Sequence, residues 1–531
     1  MSRAKKMLDL KPSKPTVNRE AYPAYNRSVE EEYVQLLLTN TFANTFYADS
    51  RELINEAHSM HELMLELHPE FMARALVYAR DKGFMRLQPL YGLALLSAAQ
   101  PTLFAQTFPH VVKIPSDLAD FMTILRGQGR GQGGRVVKRQ VAAFLSSMSE
   151  YWALKYNGRG RGFSLGDAVA TAHPKPHNAQ QQALYRYVRG HETDLTNLPQ
   201  LEALEQLKRS QNDQERIYWI RQGKLPYETV TSVLQPSVEV WEELMKQMPA
   251  FALLRHLNTL ERQGVFGGHV HEGKLELKTS GKRVWNPKTY VTKVKKQNLN
   301  YVTERLTDAE ALSKSRILPF RFVKAFHEVE NEALRKPLEQ AVELTFANLP
   351  DLPGRTAIFL DISGSMVGEY LQTGSVFALA LYKKTNGNSL FWLFDTFVQD
   401  AKPSRHESIM SQAARIHARG GTNTGAPLRK LIHDEEVVDQ IIMITDEQQN
   451  HGSQFYKELQ TYRHQINRNA KAFIIDIAPY RNAMVPPEDM RTFYIYGWSD
   501  LVLSFISRTV RGYSGMVQHI EQLQLDAAEH T

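Results

Sequence analysis

Two carboxylates and a run of hydroxyls in the last third of the chain have the types and spacing to hold a hard metal ion. Asp361 opens the run Asp361-Ile362-Ser363-Gly364-Ser365-Met366. Asp446 follows the apolar run QIIMIT, and Gly420-Gly421-Thr422-Asn423-Thr424-Gly425 lies between the two. Such an all-oxygen set suits a divalent cation, Mg²⁺ in particular. With so few charged ligands, coordination positions stay open for water or for a carboxylate brought by a ligand. The plainer reading is that Ser363 and Ser365 cap the next helix and the aspartates end strands. A nuclease built on Asp361 and Asp446 is disfavoured, because a single hydroxyl-rich site without a nearby general base lacks the parts for hydrolysis. The chain is expected to have no chemistry of its own.

A second set of residues is suited to phosphates. Leu125-Arg126-Gly127-Gln128-Gly129-Arg130-Gly131-Gln132-Gly133-Gly134-Arg135 leads into an amphipathic pattern running over Val136–Tyr156. Gly129, Gly131 and Gly134 match the dinucleotide fingerprint formally, but no βαβ unit surrounds them. A flexible loop whose backbone approaches phosphates fits better. Arg126, Arg130, Arg135, Lys138 and Arg139 would supply charge, and the following helix N-terminus would supply N–H donors. Lys155-Tyr156-Asn157-Gly158-Arg159-Gly160-Arg161-Gly162-Phe163 and His173-Pro174-Lys175-Pro176-His177 come next. Cationic and aromatic side chains interleave there, as single-stranded or looped RNA favours. The alternative is a pair of solvated loops, with His173 a structural histidine.

Helices must position the basic clusters, and strand ends the carboxylates. Residues 1–28 are rich in Pro, Lys and Ser and read as a flexible arm. From Val29 to about Ala347 apolar residues recur at helical spacing, as in Leu53, Ala57, Met60, Leu63, Met64 and Leu67. Pro69, Pro101, Pro109, Pro115 and Pro199 punctuate the pattern. Stacked helix pairs of α-solenoid type follow from this. The polar stretch 264–300 reads as a long basic loop with room for a short hairpin. After Leu349-Pro350-Asp351 the pattern changes to short apolar runs, TAIFL, SLFWLF, QIIMIT, KAFIID and the weaker YIYGW, alternating with helices. That is a doubly wound, mostly parallel sheet, which places sites at the carboxyl ends of its strands. The expected domains are 1–28, 29–349 and 350–531.

Charge separates the same two parts. Residues from Asp351 onward carry 17 Lys+Arg and 20 Asp+Glu, leaving 47 and 37 of the chain's 64 and 57 for residues 1–350. The basic excess therefore lies wholly in the first two-thirds, which points to a polyanion as the partner there. Cysteine is absent, so disulfides, thiolate metal sites and cysteine nucleophiles are excluded. The N-terminus has no apolar core of a signal peptide, and no apolar run reaches membrane-spanning length. A cytoplasmic protein without a membrane partner is expected.

DISGSM, GGTNTG and ITDEQ resemble the metal-ion-dependent adhesion site (MIDAS) of von Willebrand factor A domains. The resemblance implies Asp361, Ser363, Ser365, Thr422 and Asp446 as metal ligands. RGQGRGQGGRVVKRQ, LKYNGRGRGFSLGDAVATAHPKP, VWEELMKQMPAFALLRHLNTLERQGV and SKSRILPFRFVKAF resemble the TROVE module, and the combination is similar to bacterial members of the Ro family. This implies an α-helical ring of HEAT-like repeats followed by a von Willebrand factor A-like (Rossmann-like) α/β domain. It further implies Y-like small noncoding RNAs on the outer surface and single-stranded ends of misfolded RNAs, such as ribosomal RNA precursors, in the central hole. A 3′-to-5′ exoribonuclease partner and a monomer in the absence of RNA are also implied. The family's Y-RNA contacts fall on Lys155, Arg159 and His173, with Arg161 as the alternative to Arg159 and Lys175 beside His173. Three departures from the family pattern are one residue inserted near Arg161, Ala172 where Ser is usual, and glutamine, Gln128 or Gln132, where an aromatic is usual. A protein-binding A-domain scaffold without a dedicated RNA ligand is the rival expectation.

Overall fold

The computed structural model describes residues 15–42, 48–158, 162–277, 283–315, 317, 319–347, 351–385, 387–480, 482–497 and 516–525. The chain forms two compact units, Met1–Lys113 with Asn348–Thr531, and Ile114–Ala347. These units differ from the expected domains, since the first helices belong with the α/β part. Of the stretch 1–28, expected as a flexible arm, residues 15–28 are folded into the first unit. Strands β1 (Pro15–Val17) and β2 (Pro23–Asn26) pair antiparallel there, Thr16 opposite Ala24. Asn18 shapes the turn between them: its Oδ1 accepts from the backbone N–H of Tyr22 at 2.9 Å and of Glu20 at 3.0 Å.

Helices Val29–Thr39, Ser50–Leu67, Pro69–Asp81, Leu87–Ala99 and Pro101–Val111 follow. Ser28 and Glu31 form a capping box on the first. Pro69 and Pro101 sit in the first turn, where the missing N–H leaves no bond unmade. Pro109, expected as a break, instead lies inside the last turn of its helix. Leu53, Ala57, Met60 and Met64 are buried as their spacing requires, whereas Leu63 and Leu67 are exposed.

The second unit is helical from Pro115–Gly127 to Glu332–Ala347. The pattern over Val136–Tyr156 is two helices, Gly134–Ser146 and Glu150–Tyr156, not one. The Ser146-Ser147-Met148-Ser149 run breaks it: Ser149 caps the second helix, its hydroxyl accepting from Trp152 N–H at 3.2 Å. The 264–300 stretch holds a hairpin longer than expected, β3 (Gly268–Leu277) against β4 (Arg283–Thr292), with Leu275 opposite Trp285.

The rest of the first unit is a six-stranded sheet. Its strands are β5 (Thr356–Asp361), β6 (Leu390–Phe394), β7 (Val398–Asp400), β8 (Gln440–Thr445), β9 (Lys471–Asp476) and β11 (Thr492–Tyr496). The order is β11-β9-β8-β5-β6-β7, parallel except for the β6–β7 pair. The two-residue strand β10 (Asn482–Ala483) extends the β1–β2 ribbon instead. Every residue of β5 and β8 is buried, which explains why their sequences run continuously apolar rather than alternating. The order reverses between β5 and β8, and the loops leaving their carboxyl ends lie at that switch point.

Candidate metal centre and nucleic-acid interface

The five expected metal ligands are all buried at the carboxyl ends of β5 and β8 and in the loop between them. Asp361 ends β5. Its Oδ1 accepts from Ser363 N–H at 2.8 Å and its Oδ2 from the Thr445 hydroxyl at 2.7 Å. The Ser363 and Ser365 hydroxyls stand 3.2 Å apart on the short turn Gly364–Met366. Gly364 N–H donates to Gly420 O at 3.1 Å and Arg419 N–H to Ile362 O at 2.7 Å, which ties the first loop to the second. Thr422 is tied to the third loop: its N–H donates to Asn450 Oδ1 at 3.0 Å, and its carbonyl accepts from Asn450 N–H at 3.1 Å.

The electrostatics of this cluster fit a cation. Burial raises the Asp361 carboxyl above its usual range, while hydrogen bonds from Ser363 and Thr445 hold it partly down. Burial also raises Asp446, and the neighbouring Asp361 charge adds to the rise. Asp446 Oδ2 is buried and has no hydrogen-bond partner among the described residues. An unpaired carboxylate oxygen in such a place is costly unless a cation faces it. Carboxylates and hydroxyls are hard oxygen donors, so the residues fit a divalent ion such as Mg²⁺. Among the described residues no three His, Cys, Asp or Glu side chains cluster as a metal site, so the hydroxyls would have to complete the set.

Sequence reasoning missed a buried charge network beside this loop. Arg27 forms ion pairs with Glu447 and, at 2.8 Å, with Asp476 at the end of β9. It stacks 4.8 Å from the Tyr494 ring centroid and donates to Asn482 O at 2.8 Å. Gln35 Nε2 donates to Asp476 at 2.5 Å. Asn18 Nδ2 donates to Gln449 O at 2.7 Å, and Arg19 N–H to Gln448 Oε1 at 3.0 Å. The N-terminal segment thus grips residues 447–449, directly after Asp446. Asp395, just past the end of β6, is a further buried carboxylate and pairs with Arg419 at 2.9 Å.

In the helical unit, the glycine-rich stretch is a tight turn closed by Arg130 N–H to Leu125 O at 3.0 Å and Gly133 N–H to Arg130 O at 3.0 Å. Gly129, Gly131, Gly133 and Gly134 all have positive φ, a conformation in which side chains are strained. The helix that starts at Gly134 has no side-chain cap, so its first N–H groups are open to an anion.

The fold brings this turn to the second basic cluster. The Arg126 guanidinium lies 4.6 Å from the ring centroid of Phe163, and Leu165–Ala172 packs on Pro115–Gly127 and Gly134–Ser146. Phe163 itself is buried, so it is a platform for Arg126 and not the stacking surface for a base expected from the interleaving pattern. Arg126, Arg135, Arg139, His173 and Lys175 are exposed, and Arg130 and Lys138 half-buried. No carboxylate pairs with Arg126, Arg135, Lys138, Arg139 or Lys175 among the described residues. His173 ends its helix in a left-handed conformation with φ 47°. Lys155 is differently placed: its ammonium pairs with Glu228 at 3.1 Å and donates to the Tyr151 hydroxyl at 3.2 Å. Burial works against that charge, but the Tyr151 and Glu228 contacts win and hold the ammonium above its usual pKa. Arg159 and Arg161 lie outside the described residues.

Among the described residues no helix is long and apolar enough to cross a membrane. A TROVE domain model matches residues 220–346 and a Ro60 vWA domain model matches 355–510. The basic region 126–175 precedes the first match. The RNA-binding protein RO60 of Deinococcus radiodurans is 23% identical over 526 residues, covering 92% of this chain and 94% of that protein. The crystal structure of the Ro (RSR) protein of Deinococcus radiodurans aligns with a TM-score of 0.64 and 22% identity, over 91% of this chain and 100% of that one. The fold, a helical repeat-like region followed by an A domain with a mixed sheet, is therefore shared. The chain thus carries a TROVE-domain match followed by a Ro60 vWA-domain match, and is similar to the RNA-binding protein RO60 along nearly its whole length.

Proposed function

We propose that this protein is a non-enzymatic scaffold or chaperone in noncoding-RNA quality control, acting in the cytoplasm. It binds Y-like small RNAs on one basic surface and single-stranded ends of misfolded or immature RNAs on another, and hands the latter to a 3′-to-5′ exoribonuclease. The observation that carries the reading is the meeting of the two basic clusters. Arg126 on Phe163 joins an uncapped helix N-terminus, an anion-receptive element, to unpaired arginines on the same unit. Lys155, Arg159 and His173 are proposed as Y-RNA contacts, with Arg126, Arg135 and Arg139 on the adjoining face. Asp361, Ser363, Ser365, Thr422 and Asp446 are proposed to hold one Mg²⁺, which would neutralise the buried carboxylates and leave a position for an external ligand.

Binding curves for a structured Y-like RNA and for an RNA with a free single-stranded 3′ end, across a salt series, test this. Replacing Lys155, Arg159 and His173 together should weaken the structured RNA selectively. Equal loss for both RNAs would reduce the two surfaces to one, and no loss for either would move the contact to Arg126–Arg139.

A second reading is favoured by one feature of the A domain. Val367 and Phe397, 61% and 76% exposed, flank the metal loops. Exposed apolar side chains beside an open cation position suit a protein partner that presents an acidic residue. The site would then recruit a protein while the helical unit holds RNA.

A further inference from the structure

At the opposite end of the same sheet, at the amino ends of β9 and β11, lies a cleft of about 560 Å³ that the metal site and the helical unit do not use. Topology creates it. β9 and β11 are parallel neighbours with Thr492 opposite Ala472, so Arg491, just before β11, and Arg468, just before β9, come to one edge. The last turn of the helix Phe455–Gln465 adds Arg463 and His464, and Tyr456 forms the apolar wall.

The charges in this cleft are not balanced. Arg463 is buried and committed to the wall: it pairs with Asp489, and its Nε donates to Ala470 O and its Nη2 to Arg491 O, both at 3.0 Å. That pairing consumes the cleft's one carboxylate, which also accepts from the Thr492 hydroxyl at 2.9 Å. The Arg491 guanidinium is aimed across the cleft by a hydrogen bond from Nη1 to Arg468 O. Among the described residues no carboxylate pairs with Arg468, Arg491 or His464, all of which are exposed. The result is one anchored guanidinium, that of Arg491, with the exposed Arg468 side chain and an imidazole around an open space, in the part of the chain whose net charge is negative.

We propose that this cleft is a phosphate site, with Arg468 and Arg491 gripping the phosphate group of a nucleotide and Tyr456 bounding it. Planar guanidiniums present paired N–H groups that match phosphate oxygens. An aromatic wall beside them suits a nucleotide better than inorganic phosphate alone. The nucleotide is either part of an RNA strand or free. This inference does not rest on the basic surface of the helical unit, so the two can fail separately.

The test uses full-length protein in which Arg126, Arg135, Arg139 and Lys155 are alanine, so that strand binding by the helical unit is suppressed. Fluorescence anisotropy with a 5′-phosphorylated, labelled oligouridylate hexamer then reads the cleft. Adding Arg468→Ala and Arg491→Ala should weaken the remaining affinity roughly tenfold or more per guanidinium, the scale of one charge-assisted hydrogen bond. Arg→Lys at both positions should restore part of it, and Lys457→Ala, exposed on the same helix, should change nothing. Competition by uridine 5′-monophosphate at concentrations matching the hexamer would identify a free nucleotide as the ligand. A need for large excess would identify the strand. If the double alanine variant binds the hexamer as its parent does, the proposal is overturned and these residues only complement the carboxyl end of a helix.

Discussion

Lys155 offers a decision between two roles, because its charge already has a partner. Its ammonium lies 3.1 Å from Glu228 Oε1, with side-chain exposures of 23% and 33%. A pair that open to water is worth about 0.2–1 kcal/mol net after screening and side-chain ordering. A phosphate contact by the same ammonium would be worth about 1.5–3 kcal/mol, or roughly 10- to 150-fold in affinity. RNA can therefore compete with Glu228 for Lys155, at a discount set by the ion pair. Glu228→Gln removes the competitor and a repelling charge while Tyr151 still holds the ammonium. If Lys155 meets a phosphate, Glu228→Gln should tighten a Y-like RNA by roughly 1.4- to 5-fold, the reciprocal of that discount. Lys155→Ala should weaken it roughly 10- to 150-fold and lower the salt slope by about 0.7–0.9. The double variant should fall between the wild type and Lys155→Ala. Anisotropy titrations at four salt concentrations, with urea unfolding of each variant alongside, measure both quantities. If both single variants lose the same small stability and neither changes RNA affinity or salt slope, Lys155 only braces Glu150–Tyr156 against Tyr227–Val233. The RNA reading of this residue then fails.

Other outcomes follow from the first unit. Calorimetric titration of the full chain should give one Mg²⁺ per molecule, with proton release at neutral pH because the raised carboxyls must ionise; Asp361→Ala should abolish it, and unchanged stoichiometry would refute the ligand set. Labelled single-stranded RNA incubated with protein and Mg²⁺ should stay intact, whereas cleavage that Asp446→Ala removes would establish a nuclease. His61 is buried, bonded at 2.9 Å through Nδ1 to the Tyr33 hydroxyl and through Nε2 to Gln88 Oε1, which accepts, and has its pKa lowered by burial to about 4. The unfolded chain then binds the proton more tightly, so stability is full above pH 6.5 and falls as pH drops toward 4. The loss should be about 2 kcal/mol between pH 8 and pH 5, and His61→Gln should flatten that slope in urea melts. Arg27→Met should cost about 3–5 kcal/mol, since it strands Glu447 and Asp476 in a buried site; a loss below about 1 kcal/mol would show that those carboxyls simply take up protons.

The strands, and the gathering of Asp361, Ser363, Ser365, Thr422 and Asp446 at their carboxyl ends, were legible because their signals are local. A parallel strand buried on both faces writes itself as a continuous apolar run, and TAIFL, QIIMIT and KAFIID all lie within observed strands. The sites at their ends then follow from topology. The helical stripe was legible for the same reason, but helix breaks were not always: Ser147–Ser149 interrupts a pattern whose hydrophobic period continues, and only the capping hydroxyl marks it. Phe163 shows the limit of composition as a guide. An aromatic among arginines reads as a stacking surface, yet Phe163 is buried and lies under Arg126 instead.

What stayed hidden depends on contacts between residues hundreds of positions apart. Arg27 sits in a segment whose composition reads as an arm, and nothing near it in sequence hints that its charge is needed. Its partners, Glu447 and Asp476, are the residue after Asp446 and the end of the neighbouring strand. A carboxylate at the end of a parallel strand is a site signal, but it has two resolutions. Asp446 keeps a buried oxygen without a partner, while Asp476 has both Arg27 and Gln35. Sequence position alone treats the two alike. The difference is whether another part of the chain arrives to neutralise the charge, and that arrival is what separates a place left for a cation from a place already filled by an arginine. By the same argument Arg27, committed to Glu447 and Asp476, leaves Asp446 without a competing guanidinium among the described residues.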